Sequence, residues 1–345
     1  MEISNSKSEF EDLFYSKEFY FSYSSLSKLK HSPGIFYRRY ILGDSKDTYH
    51  KSTIEGKLIH CLLLNPELFD QEFILMPSSS PSANTIKVID SLVDKLNAER
   101  IIIENDLTKD PELSDYEDDI LEILKEQNLH QKLIEDSARI SKIITGESSS
   151  YFNYKLYSNL RHVIDLDTYD RCLEAKELIM NHPVAKQMNI DKTQDIISLN
   201  EIEIKYKDDT FPFGLKGILD NVTIDVNNKI LRINDLKTTS KTLHDFKDAV
   251  DFWDYWLQAA IYFRLAKAAM DQGSFKVENF NDEWTCIFSF IVIDRYNHIY
   301  SFEVSEDSMI KWQIELQDLL HEAKYHYESR DFSLPFNFLK TKIVL

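Results

Sequence analysis

The feature that most constrains the fold is a β-rich stretch, residues 196–239, whose alternating apolar residues give way to charged ones where another apolar residue is expected. Within it, Asn227 and Asn228 predict a two-residue hairpin turn, because asparagine tolerates the positive φ that such turns require. Strands that pair symmetrically about this turn place Asp220 directly opposite Asp235. The sequence therefore predicts two facing carboxylates at the edge of an apolar layer.

A lysine completes this charged group. Lys237 lies on the same strand face as Asp235, because side chains on one face recur every second residue. Facing carboxylates with Cβ atoms about 4.5–5.5 Å apart repel each other, and a divalent cation relieves that repulsion. Mg²⁺ prefers such oxygen ligands, and metal activation of water beside an ammonium suits phosphodiester hydrolysis. The competing interpretation is that one aspartate is a solvated strand-end residue and Lys237 neutralises the other.

Composition narrows the class of protein. The chain has 345 residues, 43% of them hydrophobic, which is enough for one large domain or two ordinary ones. No apolar run reaches the ~18–20 residues of a membrane helix, and the N-terminal stretch "MEISNSKSEFEDLF" lacks the basic and then apolar pattern of a secretory signal, so we expect a cytoplasmic protein without a membrane partner. Cys61, Cys172 and Cys286 lie far apart and are expected to be reduced. A net charge of −18 argues against coating nucleic acid by bulk electrostatics, but not against local DNA binding.

The remaining patterns give a coarse organisation. Residues 18–64 contain helical patterns, and residues 65–192 contain several amphipathic helical patterns with few strand signals. After the β-rich stretch, residues 251–270 predict one helix, followed by a strand pair and a final helix. These patterns predict an α/β (α+β) fold with consecutive antiparallel strands and a large helical insertion.

Two motifs resemble a known signature. "GILD", ending at Asp220, and "DLK", from Asp235 to Lys237, resemble the motif of the PD-(D/E)XK nucleases. In that family the two acidic residues bind metal and the lysine serves the attacking water. The resemblance implies a restriction-endonuclease-like core, a mixed central β-sheet flanked by helices. It divides a single nuclease domain, residues 1–345, into a catalytic core at 18–64 and 195–345 and a helical insertion at 65–192.

Further motifs resemble RecB-type nucleases. "GKLIH" resembles their G-x-x-x-H helix, which implies that His60 is a metal ligand; among apolar neighbours, the same residue is also typical of a core histidine. "QAAIY" resembles their Q-x-x-x-Y helix, which implies that Gln258 holds the active-site backbone and that Tyr262 approaches DNA. Taken alone, these two residues are typical of a surface glutamine and a core tyrosine.

Within this group, the sequence most resembles the exonuclease VIII-like proteins of phages and prophages. The fragments that carry this resemblance are "NHPVAKQM", "NEIEI", "DLKTTSKTLHDF" and "YWLQAAIYF". That resemblance assigns Glu203 to the first core strand of the site. The chain departs from the family at Ile218, where arginine is common, which leaves Lys216 as the nearby cation. The opening segment "SYSSLSKLKHSPGIFYRRYILG" lacks the cysteine that some relatives use, so no iron–sulfur cluster is expected.

The resemblance implies one or two Mg²⁺ or Mn²⁺ ions as cofactor, with the Leu236 carbonyl completing the ligands supplied by the acidic residues and the histidine. Tyr37 or Tyr40 would stack on a frayed base. The candidate phosphate contacts, for which scattered surface charge is the competing explanation, are Arg38, Arg39, Lys57 and Lys216.

The function implied is an exonuclease that hydrolyses linear DNA in phage-type recombination, repair or DNA degradation. The alternatives are an inactive nuclease-fold protein that binds DNA or assembles with it, a nuclease for RNA or single-stranded DNA, and a metal hydrolase with another substrate. A recombination partner protein and a homo-oligomer are the further expected interactions. The acidic segment 104–127 is a candidate partner surface, although a solvated face is the usual role of such a segment.

Overall fold

The structure is a computed structural model that describes residues 5–44, 51–98, 111–192, 195–277 and 280–340. Its α-helices are α1 (Asn5–Tyr15), α2 (Tyr23–His31), α3 (Pro33–Phe36), α4 (Lys51–Leu64), α5 (Phe69–Glu72), α6 (Ala83–Ala98), α7 (Glu117–Glu126), α8 (Asp136–Ile143), α9 (Gly146–Tyr157), α10 (Leu166–Asn181), α11 (Pro183–Gln187), α12 (Phe246–Phe252), α13 (Tyr255–Asp271), α14 (Glu306–Ser329) and α15 (Phe336–Lys340). Its strands are β1 (Tyr20–Phe21), β2 (Phe73–Leu75), β3 (His162–Ile164), β4 (Ile197–Tyr206), β5 (Gly214–Asp225), β6 (Ile230–Thr239), β7 (Thr285–Asp294) and β8 (Ile299–Glu303).

The chain divides into two compact units. The first unit comprises residues 1–50, 63–65 and 175–345, and the second comprises residues 51–62 and 66–174. The division therefore falls within α4 and α10. The assignment of 18–64 and 195–345 to one catalytic core in a single nuclease domain stays a prediction.

The first unit is built on a mixed sheet of six strands, in the order β1-β5-β6-β7-β8, with β4 paired to β5. The pairs β1–β5 and β6–β7 are parallel, and the pairs β4–β5, β5–β6 and β7–β8 are antiparallel. Helix α13 packs against β4, β5 and α14. A mixed sheet flanked by helices confirms the predicted fold class.

The β5–β6 hairpin has the predicted register but not the predicted turn. Val222 lies opposite Ile233, as expected for strands that pair symmetrically about the asparagines. Four residues separate the strands, 226–229, and the positive φ of 54° belongs to Lys229. Asn228 instead donates its backbone N–H and its side-chain amide to the Asp225 carboxylate, at 3.0 and 2.7 Å. The longer loop is centred on the same point, so the register is unchanged.

The predicted single helix over 251–270 is wrong, because the chain breaks between α12 and α13. Asp254 has a left-handed backbone with a φ of 55°. Its buried carboxylate accepts hydrogen bonds from Ser27 Oγ at 2.9 Å and Lys30 Nζ at 2.6 Å, and it lies 2.6 Å from His31 Nε2. These contacts fix the corner to α2, and the local sequence pattern gives no sign of them.

The second unit is mainly helical. Its core is formed by apolar residues of α6, α7 and α9, including Val88, Leu92, Ile123 and Phe152. The short parallel pair β2–β3 was not predicted. Part of the predicted acidic segment, residues 104–110, lies outside the described residues. Among the helices that the structure describes, none has the length and apolar character needed to cross a bilayer.

Candidate active site

The two predicted aspartates lie at the end of the β5–β6 ladder. The last ladder pair is Asn221 opposite Asn234, and Asp220 and Asp235 are the next residues along the two strands. Both carboxylates are buried. The backbone N–H of Leu236 donates to Asp220 Oδ2 at 2.7 Å, which fixes one carboxylate against the neighbouring strand.

Lys237 is held by this carboxylate pair. Its ammonium forms an ion pair with the Asp235 carboxylate. Burial opposes the charge on the ammonium, but the carboxylates of Asp235 and Asp220 outweigh burial and raise the pKa of Lys237. The Lys237 ammonium also lies 5.1 Å from the centre of the Tyr255 ring. This lysine is therefore a fixed cation beside the two aspartates.

Helix α13 supplies the next contacts. Gln258 Nε2 donates to Asp235 Oδ1 at 3.1 Å, so this glutamine contacts a carboxylate. Tyr262, one turn further on, is only 9% exposed and hydrogen-bonds with Gln258. A Cβ on Gly217 would lie 2.7 Å from the Tyr262 ring, so the ring packs where only glycine leaves room. The structure places Tyr262 in the core, whereas the sequence resemblance predicted a residue that approaches DNA.

A third carboxylate near Asp220 was missed by the sequence reasoning. On β4, Asn200 pairs with Asn221 and Ile202 pairs with Leu219 of β5. Glu201 lies between them, opposite Asp220, and is not itself part of a ladder pair. Its φ is 47°, a conformation that non-glycine residues rarely adopt. Carboxylate oxygens of Glu201 and Asp220 lie within 4.8 Å of each other.

Glu203, the predicted site residue on the same strand, lies elsewhere. Its side chain is exposed and forms an ion pair with Lys205 at 2.9 Å. The structure thus brings Glu201 to Asp220 and does not bring Glu203 there. Only the β4–β5 register distinguishes the two glutamates, and neither the apolar alternation nor the family motif supplies that register.

A buried amide network supports the strands behind the aspartates. Asn234 Nδ2 donates to Asn221 Oδ1 at 2.7 Å, and Asn221 Nδ2 donates to Asn200 Oδ1 at 2.8 Å. Gln187 of α11 donates to Asn234 Oδ1 at 2.9 Å. Buried amides require such partners, so a slipped register would leave them unsatisfied. The network therefore stabilises the alignment that sets Asp220 beside Asp235.

The predicted basic contacts are dispersed. In the first unit, Arg38 is exposed, Arg39 is half-buried, and Lys216 is exposed on β5. In the second unit, Lys57 lies on α4 with its ammonium 3.2 Å from His162 Nε2. His60, on the same helix, is half-buried.

The two aromatic residues expected to stack on a base are half-buried, and each packs on another aromatic ring. Tyr37 packs on Phe332 with ring centres 5.2 Å apart, and Tyr40 stacks on Phe36 at 5.2 Å. Their rings therefore contribute to the hydrophobic core.

The family assignment follows from comparison with known proteins. The model of the PD-(D/E)XK nuclease superfamily matches residues 20–283, a span that contains the aspartates, the lysine and α13. The chain belongs to the PD-(D/E)XK nuclease superfamily. A crystal structure of a candidate exonuclease from Eubacterium rectale is similar to this chain, with 11% sequence identity and a TM-score of 0.43. The aligned region covers 92% of this chain and 85% of the exonuclease chain. That likeness is too distant to bear on function, and a search of curated proteins gave no match.

The PD-(D/E)XK nucleases typically use a divalent metal ion. In the first unit of this member, the donor atoms suit such an ion, because carboxylate oxygens of Asp220 and Glu201 approach within 4.8 Å and carboxylates are the oxygen ligands that Mg²⁺ and Mn²⁺ favour. The residues present therefore fit a hard divalent cation.

Proposed function

We propose that the protein is a metal-dependent deoxyribonuclease that degrades linear DNA from its ends. One observation carries the proposal: the carboxylates of Glu201 and Asp220 approach within 4.8 Å, and on the neighbouring strand the ammonium of Lys237 pairs with the Asp235 carboxylate. This arrangement combines cation ligands with a fixed positive charge, the two requirements of metal-assisted phosphodiester hydrolysis. The resemblance to exonuclease VIII-like proteins favours action at DNA ends in phage-type recombination, repair or DNA degradation.

The residues proposed to hold Mg²⁺ or Mn²⁺ are Asp220, Asp235, Glu201 and the carbonyl of Leu236. When bound, such a metal lowers the pKa of water and stabilises negative charge on a phosphate. His60 is proposed as a further ligand on the basis of the sequence resemblance. Glu203 is less well supported, because its carboxylate pairs with Lys205.

The protein's own groups have separate roles in the proposed reaction. Lys237, kept protonated by the neighbouring carboxylates, donates hydrogen bonds that orient the attacking water and offset charge on the phosphate. Gln258 holds the Asp235 carboxylate in one orientation through its amide. Tyr262 acts through Gln258, because it is buried and bonded to that side chain. We assign phosphate contacts outside the site to Arg38, Arg39, Lys57 and Lys216, on charge and on the sequence resemblance.

The proposal is tested by digestion of end-labelled linear duplex, single-stranded DNA, RNA and closed circular DNA with Mg²⁺ or Mn²⁺. The wild type is compared with Lys237→Ala, and Lys205→Ala is the matched control because Lys205 is an exposed lysine on β4. We expect the wild type and the control to shorten linear DNA and leave circles intact. Lys237→Ala should lose at least a hundredfold in rate, by removal of a charge that stabilises the transition state.

Other results would replace the proposal. Nicking of closed circles would indicate an endonuclease. Digestion of RNA alone would change the substrate class. Wild type that binds DNA and metal without cutting any substrate would point to a nuclease-fold binding protein, and the proposed activity would fail.

A further inference from the structure

Two aromatic side chains are exposed at the corner between α12 and α13. Phe252 is 71% exposed and Trp253 is 53% exposed. Their rings are perpendicular, with centres 4.7 Å apart. Single apolar residues on a surface are ordinary. Two adjoining aromatic rings that are mostly exposed to solvent instead form a small apolar surface that can bind a flat ring. Flat, apolar rings of this kind are the partners of nucleobases in single-stranded nucleic acid.

This aromatic corner adjoins the proposed active site. Tyr255, two residues after Trp253, has its ring 5.1 Å from the Lys237 ammonium. The Tyr23 hydroxyl donates to the carbonyl of Trp253. The pKa of Tyr23 is raised, first by burial and then by the charges of Tyr255, Asp254 and Asp235. Tyr23 therefore lies within electrostatic range of Asp235. A nucleotide on the aromatic corner would therefore be near the reacting phosphate.

The corner is held rigidly, which limits the entropy lost on binding. Asp254 follows Trp253 directly and is buried in a left-handed backbone conformation. Its carboxylate bonds to Ser27 and Lys30 at 2.9 and 2.6 Å. The backbone carbonyl of Trp253 is bonded to α2 at the same point. The two rings are thus presented on a fixed support.

The charges around the corner match a nucleic-acid strand. The Lys241 ammonium lies 6.0 Å from the centre of the Phe252 ring. The side chains of Lys30 and His31 are 32% and 59% exposed, respectively, beside Asp254. Two exposed acidic residues of α12 are also nearby, Asp251 next to Phe252 and Asp248 one turn earlier. Ammonium groups beside stacking rings, here those of Lys30 and Lys241, can contact the phosphates that flank a stacked base.

We propose that Phe252 and Trp253 form a stacking platform for unpaired bases of the DNA strand whose backbone enters the active site. The inference rests on the proposed function, because it assigns a substrate form to the same site. Stacking is indifferent to base identity, so the platform would favour frayed ends and overhangs without sequence preference.

The test measures binding separately from cleavage. A single-stranded oligonucleotide with 2-aminopurine at its end is titrated with protein in EDTA, and a blunt duplex serves as the second ligand. The proteins are the wild type, the double variant Phe252→Ala/Trp253→Ala, the conservative double variant Phe252→Tyr/Trp253→Phe, and Phe338→Ala as the matched control. Phe338 is also an exposed aromatic residue, at 57%. Thermal unfolding of each variant confirms that it is folded.

We expect the alanine double variant to lose about ten- to a hundredfold in affinity for the single strand and to lose the quenching of 2-aminopurine. The blunt duplex should bind nearly as well as to the wild type. The conservative variant and Phe338→Ala should retain both signals.

Four results would overturn the platform. Unchanged single-strand affinity in the alanine variant would leave the rings as a surface for a protein partner. An equal loss for duplex and single strand would assign them to general DNA contact. If wild type cuts DNA but 2-aminopurine is never quenched, the platform fails while the nuclease proposal stands. If the wild type neither binds nor cuts any DNA, both proposals fail together.

Discussion

Replacing Asp254 by asparagine should destabilise the corner that carries the aromatic platform and the start of α13. Four donors converge on this carboxylate: Ser27, Lys30, His31 and the indole of Trp256, the last at 3.2 Å. Asparagine keeps the side-chain size and tolerates the left-handed backbone. Asp254→Asn therefore removes the charge and one acceptor with little change in shape.

The magnitude follows from the burial of the partners. Loss of one member of a buried ion pair costs about 3–5 kcal/mol, and each hydrogen bond to a charged group contributes about 1.5–3 kcal/mol. Here the side chain of Asp254 is 4% exposed, whereas those of Lys30 and His31 are 32% and 59% exposed, respectively. Both side chains can be hydrated again in the variant, so the cost should lie near the lower limit. We expect a loss of about 2–3 kcal/mol in the free energy of unfolding.

The pH dependence gives an independent check. Burial alone would raise the pKa of Asp254, but the hydrogen bonds from Lys30, Ser27 and His31 outweigh burial and lower it. A carboxyl whose pKa is lower in the folded state stabilises the protein above its unfolded pKa, about 3.9. That contribution is lost as the pH falls through the folded pKa. The difference between wild type and variant should thus persist at pH 5 and shrink below about pH 4.

The assay is urea unfolding followed by tryptophan fluorescence, since all four tryptophans belong to the first unit. The control is Asp251→Asn, which neutralises an exposed aspartate three residues earlier and should change stability by less than about 0.5 kcal/mol. A loss below about 1 kcal/mol for Asp254→Asn at pH 7 would refute the estimate. So would a loss of equal size in the control.

Three further outcomes are expected. Gly217→Ala should cost about 1–3 kcal/mol by overpacking, measured as a lower Tm, because the added Cβ would lie 2.7 Å from the Tyr262 ring; an unchanged Tm would contradict that contact. Glu201→Gln should raise the Mg²⁺ concentration for half-maximal cleavage roughly tenfold or more, whereas Glu203→Gln should not; the reverse order would return the site to Glu203. Burial lowers the pKa of His326, so as the pH drops below about 6.5 this histidine gains its proton in the unfolded state first, and the stability of the folded state should fall. In His326→Gln the urea midpoint should therefore change less between pH 7 and pH 5 than in the wild type. An equal change in both proteins would show that His326 is not the source of the pH dependence.

The parts of the site that the sequence predicted are those set by short-range geometry. A hairpin centred on the asparagines is sufficient to bring Asp220 to Asp235, and the alternation of side chains places Lys237 beside them. The predicted register of β5 and β6 is correct even though the turn differs, because the predicted two-residue turn and the observed four-residue loop have the same centre. The spacing of Gln258 and Tyr262 likewise follows from a single helix face.

What the sequence could not predict depends on contacts between distant segments. Glu201 enters the site because β4 pairs with β5 in one particular register, with a left-handed residue at that point. Asp254 breaks the helix because donors from α2, more than two hundred residues earlier, bind its carboxylate. Neither effect leaves a local pattern, since alternation and propensity describe neighbours in the chain.

These two departures from local pattern share a physical cause and a consequence. A left-handed backbone at Glu201 and at Asp254 is unfavourable for non-glycine residues. Asp254 is held by side chains of α2, and Glu201 lies between two ladder pairs with β5. Strain of this kind persists where surrounding contacts determine it, and it is common at functional sites. One strained residue supplies a carboxylate to the proposed metal ligands, and the other sets the corner that exposes Phe252 and Trp253. The sheet thus positions Asp220, Asp235 and Lys237 of the proposed site, while two residues with left-handed backbones position the Glu201 carboxylate and the aromatic corner.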